Sequence, residues 1–174
     1  RLRFQPGAEY RGRIGVDRSL GTGRFSMGVT YSKFGDDGLD STIYNTGDRI
    51  IAQGGLTNSV GFGNLTINVW DLYRASGSTF LNAATGSENI ANLLVALGFR
   101  TGGGVLEPSI EFRSWTQEAT SSSTLATFGL RYTYETAGFS ITPSGGYTAG
   151  SLGTGGPSAS LSGFRGALAI RLGP

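Results

Sequence analysis

The sequence predicts an all-β protein: a transmembrane antiparallel up-and-down β-barrel with about nine strands visible and at least ten in the intact barrel. Three observations lead there. Apolar residues alternate with small or polar ones, as in Phe139-Ser140-Ile141-Thr142-Pro143-Ser144-Gly145-Gly146-Tyr147, and a side-chain period of two belongs to a β-strand. The alternating segments are about ten residues long, close to the roughly 9–11 that a tilted strand needs to cross a bilayer's hydrocarbon layer. The connections between them run short, long, short, long, as in barrels with tight turns at one rim and long loops at the other.

Nine segments are expected, near 8–17, 23–34, 48–59, 64–74, 89–100, 105–115, 123–135, 139–148 and 159–172. The short connections, 18–22, 60–63, 101–104 and 136–138, carry the glycine that tight hairpins need. The long ones are 35–47, 75–88, 116–122 and 149–158. Parity within the segments sorts two faces. One collects Tyr10, Ile14 and Val16, then Phe25, Met27, Val29 and Tyr31, then Leu93, Val95, Leu97 and Phe99. It continues with Leu106, Pro108, Ile110 and Phe112, with Phe128, Leu130, Tyr132 and Tyr134, and with Phe164, Leu168, Ile170 and Leu172. The other face collects Glu9, Arg11, Arg13, Ser26, Thr30, Glu107, Ser109, Glu111, Arg113, Thr127, Arg131, Thr133, Glu135, Arg165 and Arg171.

Two segments fit less cleanly. Ile90, Leu93, Leu94 and Leu97 also form a helical stripe, yet the length and flanking turns of 89–100 match its neighbours, so it is read as a strand. Val69-Trp70-Asp71-Leu72-Tyr73 breaks the alternation. Either Asp71 sits on the apolar face or the phase changes, and a β-bulge near the rim would resolve it.

Composition agrees with a barrel. The chain has 174 residues, one domain's worth, and 30 glycines with 38% hydrophobic residues would leave a soluble domain short of core. Only 15% of residues are charged, and Lys33 is the single lysine among 14 cations. Soluble sheets guard their exposed faces with lysine and glutamate, so this shortage points to a confined polar face. The net charge of +2 comes without a basic run, which leaves no nucleic-acid footprint. No stretch of 18 apolar residues exists to form a helical span.

Aromatic residues near segment ends, Tyr10, Phe25, Tyr31, Phe99, Tyr134, Phe139 and Tyr147, match the interfacial girdles of membrane barrels, so the apolar set is expected to face lipid. With short turns on the periplasmic side, segment 8–17 descends from the outer surface. Something must climb to reach it, and Arg1-Leu2-Arg3-Phe4 before the Gln5-Pro6-Gly7 turn is the candidate for the top of that strand. Residues 1–174 are therefore read as a single barrel domain lacking its N-terminal portion, with its export signal removed or lying outside these residues.

This pattern resembles the bacterial outer-membrane β-barrel superfamily, broadly its porin-like and small-barrel members. The resemblance covers nearly the whole chain but lies in pattern, so it points to a class rather than to a member. It implies residence in the bacterial outer membrane, with the lipid bilayer and the barrel assembly machinery as partners. Homo-oligomers or an envelope complex are also possible partners under it, and nucleic acid is not. The last segment, Ser162-Gly163-Phe164-Arg165-Gly166-Ala167-Leu168-Ala169-Ile170-Arg171-Leu172, looks like the C-terminal strand shown to that machinery, though Leu172-Gly173-Pro174 stands where a terminal aromatic is usual.

No catalytic chemistry is expected. Histidine and cysteine are absent, removing the commonest general base and the usual soft metal ligands. The histidine-dependent outer-membrane enzymes therefore offer no residue to carry over, and neither a cofactor nor a metal is called for. Glu107 and Glu111 share a face, but four residues of strand put them roughly 13 Å apart, so pairing with Arg113, Arg131 or Arg100 across adjacent strands is the expectation. Asp36, Asp37, Asp40 and Asp48 with Asn45 offer the oxygens of a calcium cage, but their spacing matches no EF-hand and a solvated acidic loop is the simpler reading.

The function expected is a passive diffusion channel for small solutes, lined by Arg11, Arg13, Glu107, Glu111, Arg113, Arg131, Glu135, Arg165 and Arg171. The alternatives are a structural or adhesive barrel with a closed lumen, and a soluble lipocalin-like carrier with the apolar face inward.

Overall fold

The computed structural model describes residues 3–81, 83–118, 121–153 and 156–172. The main body is one antiparallel sheet of nine long strands: β2 (Glu9–Leu20), β3 (Gly23–Phe34), β6 (Arg49–Val60), β7 (Gly63–Arg74), β10 (Glu88–Thr101), β11 (Gly104–Gln117), β12 (Ser123–Glu135), β13 (Phe139–Leu152) and β14 (Ala159–Leu172). Five short strands complete the set: β1 (Phe4–Gln5), β4 (Asp37–Leu39), β5 (Thr42–Tyr44), β8 (Gly77–Ser78) and β9 (Ala84–Thr85). Each long strand pairs with its neighbours in sequence, in the order β14-β13-β12-β11-β10-β7-β6-β3-β2. The sheet is open, and β2 and β14 are its edges.

All nine expected segments are strands, with boundaries that move at their ends. The first hairpin is tighter than the sequence suggested, because Arg18 pairs with Phe25 and Leu20 with Gly23, leaving only Gly21-Thr22 to turn. Gly102 and Gly103 turn the β10–β11 hairpin with φ of 55° and 83°, the left-handed conformation that two-residue hairpins demand and glycine adopts without steric cost. At the other rim β11 and β13 run on to Gln117 and Leu152. Residues 149–152, expected in a loop, pair instead with β12 and β14.

The registers settle both ambiguous segments. Strand β10 sends Leu93 and Leu97 to one face and Ile90 and Leu94 to the other, so the helical stripe is divided between the two sides. No bulge interrupts β7. Its ladders to β6 and β10 are continuous, and Asp71 lies opposite Ala52 and Ala91 on the apolar face. Polarity there is absorbed by a partner: Asn89 Nδ2 donates to Asp71 Oδ1 at 2.8 Å.

Phe4 and Gln5 do not begin a strand beside β2. They pair with Leu39 and Gly38 in the first long loop, because the turn at Pro6-Gly7 is tied down by Gly7 N–H donating to Asp37 Oδ1 at 2.7 Å. Arg1 and Leu2 lie outside the described residues. The first two long loops are also joined: Ser78 N–H donates to Asn45 O at 2.6 Å, and Asn45 N–H donates to Ser78 Oγ at 3.1 Å. Gly47, with φ of 80°, packs so closely on the Ala75 carbonyl that a Cβ there would overlap it.

Burial is inverted relative to a globular domain. Ala96 is the only buried hydrophobic residue among the described residues, whereas Ile14, Phe164 and Leu172 are 75%, 87% and 80% exposed. The protected positions at mid-sheet belong to the opposite face, where Ser32 and Asn92 are buried. That is the pattern of a single-layer sheet whose protected side chains lie on its polar face.

Candidate functional site

The polar face is the surface on which chemistry converges. In an antiparallel ladder, directly opposed residues project to the same side, so the registers carry one face across all nine strands. Arg11, Arg13, Glu107, Glu111, Arg113, Arg131, Glu135, Arg165 and Arg171 all fall on it. They form two groups rather than one ring: Arg11 and Arg13 stand on the edge strand β2, the others on β11 to β14 at the far side of the sheet.

Two of the expected pairings take different forms. Glu107 faces Arg131 across the β11–β12 ladder, and their nearest atoms are 2.7 Å apart. Glu111 instead takes Arg113 on its own strand at 3.0 Å, because the position across the ladder is Thr127 and residues two apart on a strand share a face. The same Glu111 oxygen accepts from Asn92 Nδ2 at 2.6 Å. At β2, Glu9 meets Arg11 at 2.6 Å. Among the described residues no carboxylate lies within ion-pair distance of Arg13, Arg100, Arg165 or Arg171.

Arginine exceeds carboxylate on this face. Arg11, Arg13, Arg24, Arg49, Arg74, Arg100, Arg113, Arg131, Arg165 and Arg171 stand against Glu9, Asp17, Glu88, Glu107, Glu111 and Glu135. The acids missing from it are concentrated at the long-loop rim, where each is held singly. Asp40 accepts from Arg3 N–H, Asp37 from Gly7 N–H, and Asp36 from Asn45 Nδ2. Asp48 accepts from Tyr31 Oη at 2.6 Å and from Phe34 N–H, and the tyrosine hydroxyl, then the amide, hold its carboxyl below the usual carboxylate range. Spent on separate donors, these acids do not form a cage, and among the described residues no group of three or more histidine, cysteine or acidic side chains is placed to hold a metal.

Parity by polar residue type missed two features of this face. Arg49 and Arg74 face each other, and Arg74 pairs with Glu88 at 3.0 Å while Arg49 lies over the Phe34 ring at 5.5 Å. Below them runs an apolar row, Ile51, Leu72, Ile90 and Trp115. Both tryptophans, Trp70 and Trp115, are on this side. The signal was available, since Trp115 shares the parity of Glu111 and Arg113. On the opposite face Tyr147 sits well inside its strand, opposite Phe128 and 4.7 Å from the Phe164 ring centroid, because β13 is longer than expected and its end is not at Tyr147.

Compared with known protein families, with curated proteins and with solved structures, the chain matches none. Its functional reading therefore rests on the geometry of the two faces.

Proposed function

We propose that the nine strands form part of the wall of an outer-membrane β-barrel, and that the arginine-rich face lines a passive diffusion channel for small solutes. The observation that carries this is the inversion of burial: large apolar side chains from Ile14 to Ile170 are exposed on one face, whereas the charges of the long strands, all but Arg18, Lys33 and Asp71, lie on the other, which holds the buried Ser32, Asn92 and Ala96. In water such a face would be a liability. Against lipid it is a requirement.

Strand length supports the same reading. The long strands have 12 to 14 residues, which at roughly 3.3 Å per residue and a tilt near 45° rise about 28–33 Å, the thickness of a hydrocarbon core. Open edges do not survive in lipid, so the wall must be completed. In a nine-stranded meander the first and last strands, β2 and β14, run the same way. Antiparallel closure then needs an odd number of further strands, which supports a barrel of at least ten.

A closed structural barrel is the second reading, favoured by the ion pairs Glu107–Arg131, Glu111–Arg113 and Arg74–Glu88 that occupy part of the polar face. Reconstitution into planar lipid membranes separates the two. Stepwise ohmic conductance is expected of the channel. Stable insertion without conductance would replace it with the closed barrel, and monodisperse behaviour in plain buffer without detergent would remove the membrane assignment.

A further inference from the structure

On the polar face, β11 to β14 carry two adjacent rows. The first reads Ser109, Gly129, Gly146, Arg165 across the four strands, and the second reads Glu107, Arg131, Ser144 with Ala167. Two glycines, Gly129 and Gly146, stand side by side in the first row, and the structure has a depression of about 360 Å³ lined by Glu107, Ser109, Gly129, Arg131, Ser144 and Arg165.

Polar groups lean over this floor from three directions. A Cβ built on Gly129 would lie 2.6 Å from Ser109 Oγ, so that hydroxyl projects over the first glycine. A Cβ built on Gly146 would lie 3.3 Å from Arg165 Nε, so the Arg165 side chain lies across the second. Arg131 enters from the next row, oriented by Glu107 at 2.7 Å. Arg165 has no carboxylate within ion-pair distance among the described residues, so its guanidinium charge is uncompensated within the sheet.

We propose that this depression is a binding station for a small oxyanion, a phosphate- or carboxylate-bearing solute. The guanidinium fork of Arg165 supplies the two parallel donors that such an anion matches. Arg131 adds positive potential, partly offset by Glu107. The Ser109 hydroxyl supplies a third donor, and the two glycines let the Ser109 and Arg165 side chains lie down against the wall beside the depression. Because the station is shallow and open, it holds an anion briefly and releases it, as a conducting site requires.

The inference rests on the channel reading of this face, so its test uses two readouts. Protein in planar lipid membranes is titrated with inorganic phosphate in constant potassium chloride, and the same protein in detergent is titrated by phosphorus-31 NMR line width. Phosphate is expected to lower the chloride current saturably and to broaden its own resonance. Arg165→Ala should weaken both responses at least tenfold, and Arg165→Lys, which keeps the charge without the fork, at least threefold. If Arg165→Ala fails to fold, Arg165→Lys decides. Broadening without any current would remove the channel and leave the station. Current and line width that ignore phosphate, or a lysine variant that responds like the parent, would overturn the station.

Discussion

Asn89 donates its side-chain N–H to Asp71 at 2.8 Å on the mainly apolar face, with Tyr73, Ala91 and Val69 beside them and Thr116 opposite Asn89. A carboxylate in that position is tolerated through its partner. Asn89→Ala leaves an acceptor without its donor, and the expected loss is about 1–3 kcal/mol. The double variant Asp71→Leu with Asn89→Leu removes both polar groups and should recover most of that loss. Urea titrations of the vesicle-reconstituted protein measure both, and a double variant weaker than Asn89→Ala would contradict the pairing.

Leu130 and Thr127 sit near mid-strand of β12 on opposite faces. With the apolar face against lipid, Leu130→Arg drags a guanidinium into hydrocarbon and should cost roughly 2–4 kcal/mol. Thr127→Arg places the same group on the polar side. There the loss is confined to the hydroxyl contact with Thr148, now 2.9 Å, about 0.5–1.5 kcal/mol. Equal costs in the same vesicle assay would sink the assignment of faces.

Gly103 holds φ of 83° in its turn. Gly103→Val puts a β-branched residue in a left-handed conformation, at an expected cost of about 1–2 kcal/mol or more. Gly138→Ala, where an added Cβ meets open space, serves as the comparison and should change stability little. A denaturation midpoint shifted equally by both variants would mean that the turn is not under the expected constraint.

Asp48 ties the start of β6 to β3 through Tyr31 and Phe34. Its carboxyl is held below the ordinary value, so its contribution to stability is fully present above the unfolded value near 3.9 and is lost as pH falls through the lower folded value. Tyr31→Phe removes the main donor. The stability gap between parent and variant should be constant from neutral pH down to about 4 and shrink below it. A gap that persists unchanged to pH 2 would show that the tyrosine acts by packing rather than through the carboxylate.

Much of this molecule is legible in a period of two. Because β-strand parity is strict, every residue assigned to a face by alternation, from Tyr10 to Leu172, lies on that face in the ladders. Strand ends were less readable. Residues 149–152 are small or loop-like by type, yet their backbone groups are claimed by β12 and β14, a demand that composition does not express. The pairing of Phe4 with Leu39 was hidden for a different reason, since it depends on a carboxylate thirty residues from Gly7. At the candidate site parity found the arginines. It did not reveal that Ser109 and Arg165 lean over two adjacent glycines, which requires the register between four strands.

The unbroken succession of neighbouring hairpins also bears on how the chain organises itself. Every ladder within the sheet joins long strands consecutive in the chain, and each closes across a connection no longer than one surface loop. Loop closure is inexpensive at that range, and contacts so local favour fast, stepwise ordering. The sheet can thus grow as a zipper, one hairpin templating the next. The same modularity lets evolution lengthen or shorten it in units of two strands without disturbing the register already laid down.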